Sequence, residues 1–257
     1  MTNHVGDEWD AHWGDYADSA RDNPAQAYRR RRIFAHLGNV GIPMRIVDIG
    51  CGQGDLLQEL ARTYPDSDLL GLELSQNGID VARRKVPRAA FVQRNLLDPD
   101  MSAGNHISWG THAVCSEVLE HVDDPVRLLE AARKYLAPGA AVVITVPGGP
   151  RSAFDRHIGH RQHFDTVGLR SLLVRAGLEV EGIEAAGFPV FNLYKLLVIV
   201  RGKRLIADAA ASASRTSWAA KAAMRIFDRL FILARSHSRF GWQLVAVARV
   251  PPHLPQR

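Results

Sequence analysis

The 257-residue chain holds only two cysteines, Cys51 and Cys115, both in apolar surroundings. That excludes a disulfide framework and fits a reducing, cytoplasmic setting. Long hydrophobic runs are missing too. The most membrane-like stretch, Leu196 to Val200, is bounded by Lys195 and Arg201 and is far shorter than the roughly 20 residues that span a bilayer. No apolar leader is expected, because Asp7, Glu8, Asp10, Asp15 and Asp18 crowd the opening residues. A net charge of +5 and a pI near 9.5 suit an anionic or membrane-adjacent partner, yet no clustered basic and aromatic platform for stacking bases is visible, which argues against nucleic acid. The remainder, 46% hydrophobic and 23% charged, is ordinary for one large globular domain or one domain with an insert.

The chain is organised around Ile46-Val47-Asp48-Ile49-Gly50-Cys51-Gly52-Gln53-Gly54-Asp55-Leu56-Leu57. A short apolar run, an acid, alternating glycines and then helix formers predict a strand, a tight turn and a helix N-terminus. Glycines there permit positive φ and let a ligand approach backbone N–H groups. Their G-x-G-x-G spacing departs from the G-x-G-x-x-G of dinucleotide sites, which disfavours a dehydrogenase.

Upstream, residues 1–23 read as a loose acidic arm with Trp9, Trp13 and Tyr16 as anchors, followed by a helix over 24–37. Four consecutive arginines, Arg29 to Arg32, must fan out around that helix and are expected on a solvated surface. Downstream, strands near 45–49, 68–73, 89–94, 113–116 and 140–146 alternate with helices at 53–63, 76–85 and 125–136, the last broken by Pro138-Gly139. A helix at 166–176, a strand at 178–183, an Ala-, Arg- and Leu-rich helical stretch over 189–238 and a strand at 242–250 complete the chain. Such alternation implies an α/β, mostly parallel, doubly wound sheet with ligands beyond the carboxyl ends of its strands.

Candidate chemistry gathers at those ends. Glu73 closes the second strand about 20 residues after the glycines, where an acid reaches ribose hydroxyls. Glu117, Glu120 and His121, if helical, point to one side and could hold a divalent cation. Between Arg156 and Phe164 three histidines, His157, His160 and His163, occur within seven residues, a density that suits the lining of a site better than a core.

With Asp48 two residues ahead of Gly50, and with Gly52 and Gly54, the first motif resembles that of class I S-adenosylmethionine (AdoMet) methyltransferases. The resemblance covers about residues 45–185. It implies a Rossmann-like, seven-stranded sheet ending in an antiparallel pair, with 41–188 and 239–257 as core, 1–40 as arm and covering helix, and 189–238 as a helical insert or lid. It assigns AdoMet to Asp48, Gly50, Gly52, Gly54, Glu73, Leu74, Asn95, Leu96 and Ser116. Asn95 stands where the family usually has an Asp toward the adenine amino group, and its carbonyl oxygen could still accept that bond.

The Glu-x-x-Glu-His segment with a later histidine is similar to metal-dependent small-RNA 2′-O-methyltransferases and ubiquinone-pathway O-methyltransferases. That implies Glu117, Glu120, His121 and His160 as ligands of Mg²⁺ or another divalent cation. His157 or His163 would then be the general base; without metal, His121 or His160 would serve. The expected activity is O-methylation of a small-molecule hydroxyl on a sugar, phenol or lipid-linked acceptor. The alternatives are an RNA 2′-O-methyltransferase and a non-catalytic AdoMet-binding partner protein. The apolar start of the insert (Phe188, Phe191, Leu193, Tyr194, Leu196, Leu197) followed by Arg201, Lys203 and Arg204 suggests a helical hairpin on the core or a substrate entrance.

Overall fold

The structure is a computed structural model that describes residues 23–39, 41–98, 104–211 and 218–252, without the side chains of 203–211 and 218–223. The expected aromatic arm therefore lies outside the described residues, as do the side chains of Lys203 and Arg204. Helix α1 (Pro24–Leu37) starts at an Asn23 cap with Pro24 in its first turn, the pairing that satisfies one orphan N–H and removes another. Then follow β1 (Arg45–Ile49), α2 (Asp55–Thr63), β2 (Asp68–Glu73), α3 (Gln76–Lys85), β3 (Ala90–Gln93) and β4 (Gly110–Ser116). After a 3-10 turn at Leu119–His121 come α4 (Pro125–Arg133), β5 (Leu136–Pro147), α5 (Ala153–His157), α6 (Thr166–Arg175) and β6 (Glu179–Ala186). Helices α7 (Val190–Ala211) and α8 (Trp218–Leu230), a 3-10 turn at Phe231–Leu233 and β7 (Gln243–Arg249) complete the order.

The seven strands run β3-β2-β1-β4-β5-β7-β6. Neighbours from β3 to β5 pair parallel, whereas β7 is antiparallel to both β5 and β6. The sheet is thus the mostly parallel, Rossmann-like one expected, with an antiparallel pair at its end. Alternation along the strands splits the core in two: Val47 and Ile49 join one cluster, Ile46 the other. A third, smaller cluster ties Ala25 and Tyr28 of α1 to Val190, Phe191 and Phe231 of the segment between β6 and β7. Each fully buried leucine of α2, Leu57 and Leu60, contributes about 1.5–3 kcal/mol against exposure.

Two expectations fail locally. Pro138-Gly139 does not break a helix, because α4 ends at Arg133 and β5 already begins at Leu136. The pairing with β4 jumps from Gly110↔Leu136 to His112↔Ala141, so the Pro-Gly pair forms a bulge in the strand. The arginine run does fan out, but not into solvent. Arg29 pairs with Glu117, Arg30 with Glu59 and Arg32 with Glu184, and only Arg31, paired with Asp228, has an exposed side chain. These bonds fasten α1 to four other parts of the chain.

Candidate active site

A cavity of about 520 Å³ lies beyond the carboxyl ends of β1, β2, β3 and β4. Its floor and sides include Ile49, Gly50, Glu73, Leu74, Asn95, Leu96 and Ser116, and its covering side comes from Arg29 on α1 and from Lys195, Val198 and Met224 on α7 and α8. The glycine turn is built as its spacing implies. Gly50, Gly52 and Gly54 have φ of 72°, 52° and 76°, values that L side chains adopt only under strain. Gly50 carries a second constraint, because a Cβ there would stand 2.6 Å from Val118 Cγ2.

Glu73 holds this turn together. One carboxylate oxygen accepts from Gly52 N–H at 2.8 Å and the other from Ser75 N–H at 2.9 Å. Glu73 also lines the cavity. Gly52 and Gly54 stand back from the cavity wall: the first is held by Glu73, the second caps α2. Asp48 lies behind the wall, 2% exposed, and its Oδ2 meets no hydrogen-bond donor among the described residues. Burial, then the nearby Glu73 charge, pushes its carboxyl up to about 7. Asn95 reaches the cavity, but its Oδ1 accepts Leu97 N–H at 3.0 Å and its Nδ2 donates to Asp98 at 2.8 Å. Only the second lone pair of that oxygen is open to an adenine amino group. Ser116 Oγ shares a hydrogen bond of 2.8 Å with Thr145 Oγ1.

The acidic and imidazole residues are arranged differently from the helical spacing expected. Glu117 has φ of 57°, so the chain turns before the 3-10 segment and its carboxylate swings away from Glu120. It meets Arg29 at 3.1 Å and accepts from Gln243 Nε2 at 2.9 Å. Glu117 thus stands outside the converging groups and is paired with a guanidinium.

Two clusters converge instead and share His160. Ligand atoms of Glu120, His121 and His160 lie within 4.8 Å of one another, as do those of Asp155, His160 and His163. His160 Nε2 stands 4.0 Å from Glu120 Oε1, and its Nδ1 stands 3.2 Å from His163 Nε2. The rings of His121 and His160 meet edge-on with centroids 4.7 Å apart. Glu120 is fully buried, and neither carboxylate oxygen has a hydrogen-bond donor among the described residues. Burial, then the Glu117 charge, raises its pKa well above the carboxylate range. Burial, then His121, holds the His160 imidazole well below its usual pKa, so it stays neutral with a lone pair to offer.

Asp155 was not expected here. It closes a capping box with Ser152 at the start of α5, and its Oδ1 accepts from Lys195 Nζ at 2.9 Å. Burial alone would raise this carboxyl; the Lys195 ammonium and the Ser152 N–H overcome it and hold the pKa low. His157, at the end of α5, is exposed and off the cavity wall, which removes it as a base. His163 is tied to Gly149 O at 3.0 Å and to His160 and also lies off the wall. Among the described residues His121 and His160 are the histidines that line the cavity.

The sequence matches the methyltransferase-domain family over residues 25–182. A trans-aconitate 2-methyltransferase of Methylobacterium nodulans is 30% identical over 147 residues, 54% of this chain and 50% of that protein. A ubiquinone biosynthesis O-methyltransferase of Acinetobacter baylyi is 27% identical over 154 residues, 59% of this chain and 62% of that protein. The chain spans about half to three fifths of the length of these curated relatives. A solved Haloferax volcanii methyltransferase in complex with the Trm112 activator superposes with a TM-score of 0.61 at 20% identity, over 98% of this chain and 100% of that one.

Proposed function

We propose that this chain, which belongs to the methyltransferase-domain family, is an AdoMet-dependent enzyme that methylates an oxygen of a small molecule, assisted by a divalent cation. The observation that carries the proposal is the cavity itself, which joins Gly50 and Glu73 on one side to His121 and His160 on the other, with the buried Glu120 beside those two imidazoles. The donor fits these residues: Glu73 can accept from a ribose diol, Leu74 and Leu96 offer apolar cover, and Asp48, its pKa raised to about 7 in the free protein, would be drawn toward its charged form by a cationic ligand. AdoMet supplies a methyl group already activated by its sulfonium.

A cation fits the second side. Glu120 is a buried carboxylate with no donor, beside two imidazoles, and a positive charge there would reverse the burial that keeps it protonated. One carboxylate and two nitrogens suit Zn²⁺, Mn²⁺, Fe²⁺ or Co²⁺ at least as well as Mg²⁺. A cation so held would lower the pKa of an acceptor hydroxyl. Asp155 and His163 orient His160 from its other nitrogen. With His121 and His160 committed to the cation, no other histidine of the described residues lines the cavity, so the acceptor proton leaves to solvent. Without a cation, His121 is the base that faces the acceptor. Helices α7 and α8, with α1, cover the cavity and leave the acceptor side open to solvent for that proton.

The relatives named for trans-aconitate and for ubiquinone biosynthesis support an oxygen acceptor. The test is transfer of labelled methyl from AdoMet into an extract of small molecules and lipids, with and without chelator. The proposal expects an alkali-stable ether that forms only before chelation. An alkali-labile ester would replace the hydroxyl with a carboxyl acceptor, and full activity after chelation would remove the metal.

A further inference from the structure

The segment between β6 and β7 turns aliphatic side chains outward. On α7, Leu193, Leu196, Leu197 and Val200 recur at i, i+3, i+4 and i+7, the spacing of a stripe that is normally buried. All four are exposed, Val200 to 77%. The inward side of the same helix is already satisfied, since Phe191 and Tyr194 pack on Tyr28, Phe227 and Phe231. Beyond α7 the pattern continues: Ile226 and Leu230 on α8 are exposed, and Ile232 just after it is 86% exposed.

Arginines flank these positions. Arg225 and Arg229 each precede an exposed aliphatic of α8, and both are exposed. Among the described side chains of these two helices Asp228 is the one acid, and it is paired with Arg31 at 3.3 Å. Among the described side chains the face is therefore both apolar and net basic.

We propose that this outer side of α7 and α8 seats on an anionic lipid surface. Aliphatics entering the headgroup region with arginines reaching phosphates is the arrangement that binds a helix along a membrane plane. A second copy is a poor occupant, because a two-fold contact would press this net basic face against itself. No helix among the described residues is long and apolar enough to cross a membrane, so the contact is peripheral. The same two helices carry Lys195, Val198 and Met224 on the cavity wall. Docking would hold that wall about one helix diameter, ~10 Å, from the lipid. This inference does not rest on the metal or on the identity of the acceptor.

The experiment is co-sedimentation of the full chain with phosphatidylcholine vesicles, alone or with phosphatidylglycerol added, at low and high salt. Binding should require phosphatidylglycerol and weaken with salt. It should fall roughly tenfold or more in Leu196→Glu/Val200→Glu and in Arg225→Glu/Arg229→Glu, with affinity for S-adenosylhomocysteine unchanged as the sign of an intact cavity. If the first pair loses that affinity, the solvent-facing arginine pair decides. Failure to bind anionic vesicles, equal binding to neutral ones, or a stable dimer that Leu196→Glu/Val200→Glu dissolves would overturn the proposal.

Discussion

His160 presents its two ring nitrogens to different neighbours: Nε2 lies 4.0 Å from Glu120 Oε1, and Nδ1 lies 3.2 Å from His163 Nε2 and 4.0 Å from Asp155 Oδ1. An imidazole that donates from one nitrogen can ligate through the other, and the donating side fixes its orientation. The Asp155 side already holds an ammonium, whereas the Glu120 side holds a buried carboxylate without a donor. The proposed cation would therefore sit on the Glu120 side, with Asp155 and His163 as positioning residues.

From this, Asp155→Asn and His163→Gln should each weaken Zn²⁺ or Co²⁺ affinity by about 10–100-fold and leave S-adenosylhomocysteine affinity unchanged. Titration followed by Co²⁺ absorption measures the first, and calorimetry with S-adenosylhomocysteine the second. A wild-type chain that takes no metal would end the metal reading; variants that bind like wild type would end only the positioning role.

Glu73 shapes the turn and lines the cavity proposed for the donor. Glu73→Gln replaces one acceptor oxygen by an NH₂ that must confront either the Gly52 or the Ser75 N–H. Charged hydrogen bonds are worth about 1.5–3 kcal/mol, so calorimetry should show affinity for S-adenosylhomocysteine falling at least tenfold, and the melting temperature should drop as well. An unchanged affinity would place the ribose elsewhere.

Gly50→Ala should destabilise the fold by roughly 1–3 kcal/mol, through positive φ and the approach to Val118. Adding Val118→Ala should recover the steric part but not the conformational part. Urea unfolding of the two variants separates them, and no recovery would mean that Val118 is not the obstacle.

Asp48 makes stability depend on pH with a defined sign. Its folded pKa, about 7, stands above the ordinary 3.8, so the folded state keeps a proton that the unfolded chain gives up first. Its contribution is present at low pH and is lost as pH rises from the unfolded value through the folded one. Asp48→Asn does not titrate, so the stability of this variant relative to wild type should grow over that window by up to about 4 kcal/mol and then level off. Urea melts between about pH 5 and about pH 8 check it. A flat difference would mean that Asp48 is ionised in the free protein.

The fold was legible because its signals are local and repeated: apolar runs of strand length, acids or serines before helices, and glycines at Gly50, Gly52 and Gly54. The site was legible where a strand end fixes a residue, as for Glu73, Asn95 and Ser116. It was not legible where backbone or tertiary geometry decides. Nothing in a Glu-Val-Leu-Glu-His string announces a positive φ at Glu117, which removes that carboxylate from the cluster. Asp155 shows as a Ser-x-x-Asp cap of a short helix, and Lys195 as the flank of an apolar run. They meet only because α7 crosses α5, across 40 positions of sequence. His157 lies as close in sequence to His160 as His163 does, yet helix α5 turns it out to solvent.

The most direct test of the account is a crystal structure with S-adenosylhomocysteine and Mn²⁺ or Zn²⁺, read by anomalous scattering. The account predicts the ribose on Glu73 and a single anomalous peak among Glu120, His121 and His160, facing the donor sulfur across the cavity. A ligand bound away from the glycine turn, or no peak beside Glu120 under saturating metal, would contradict it.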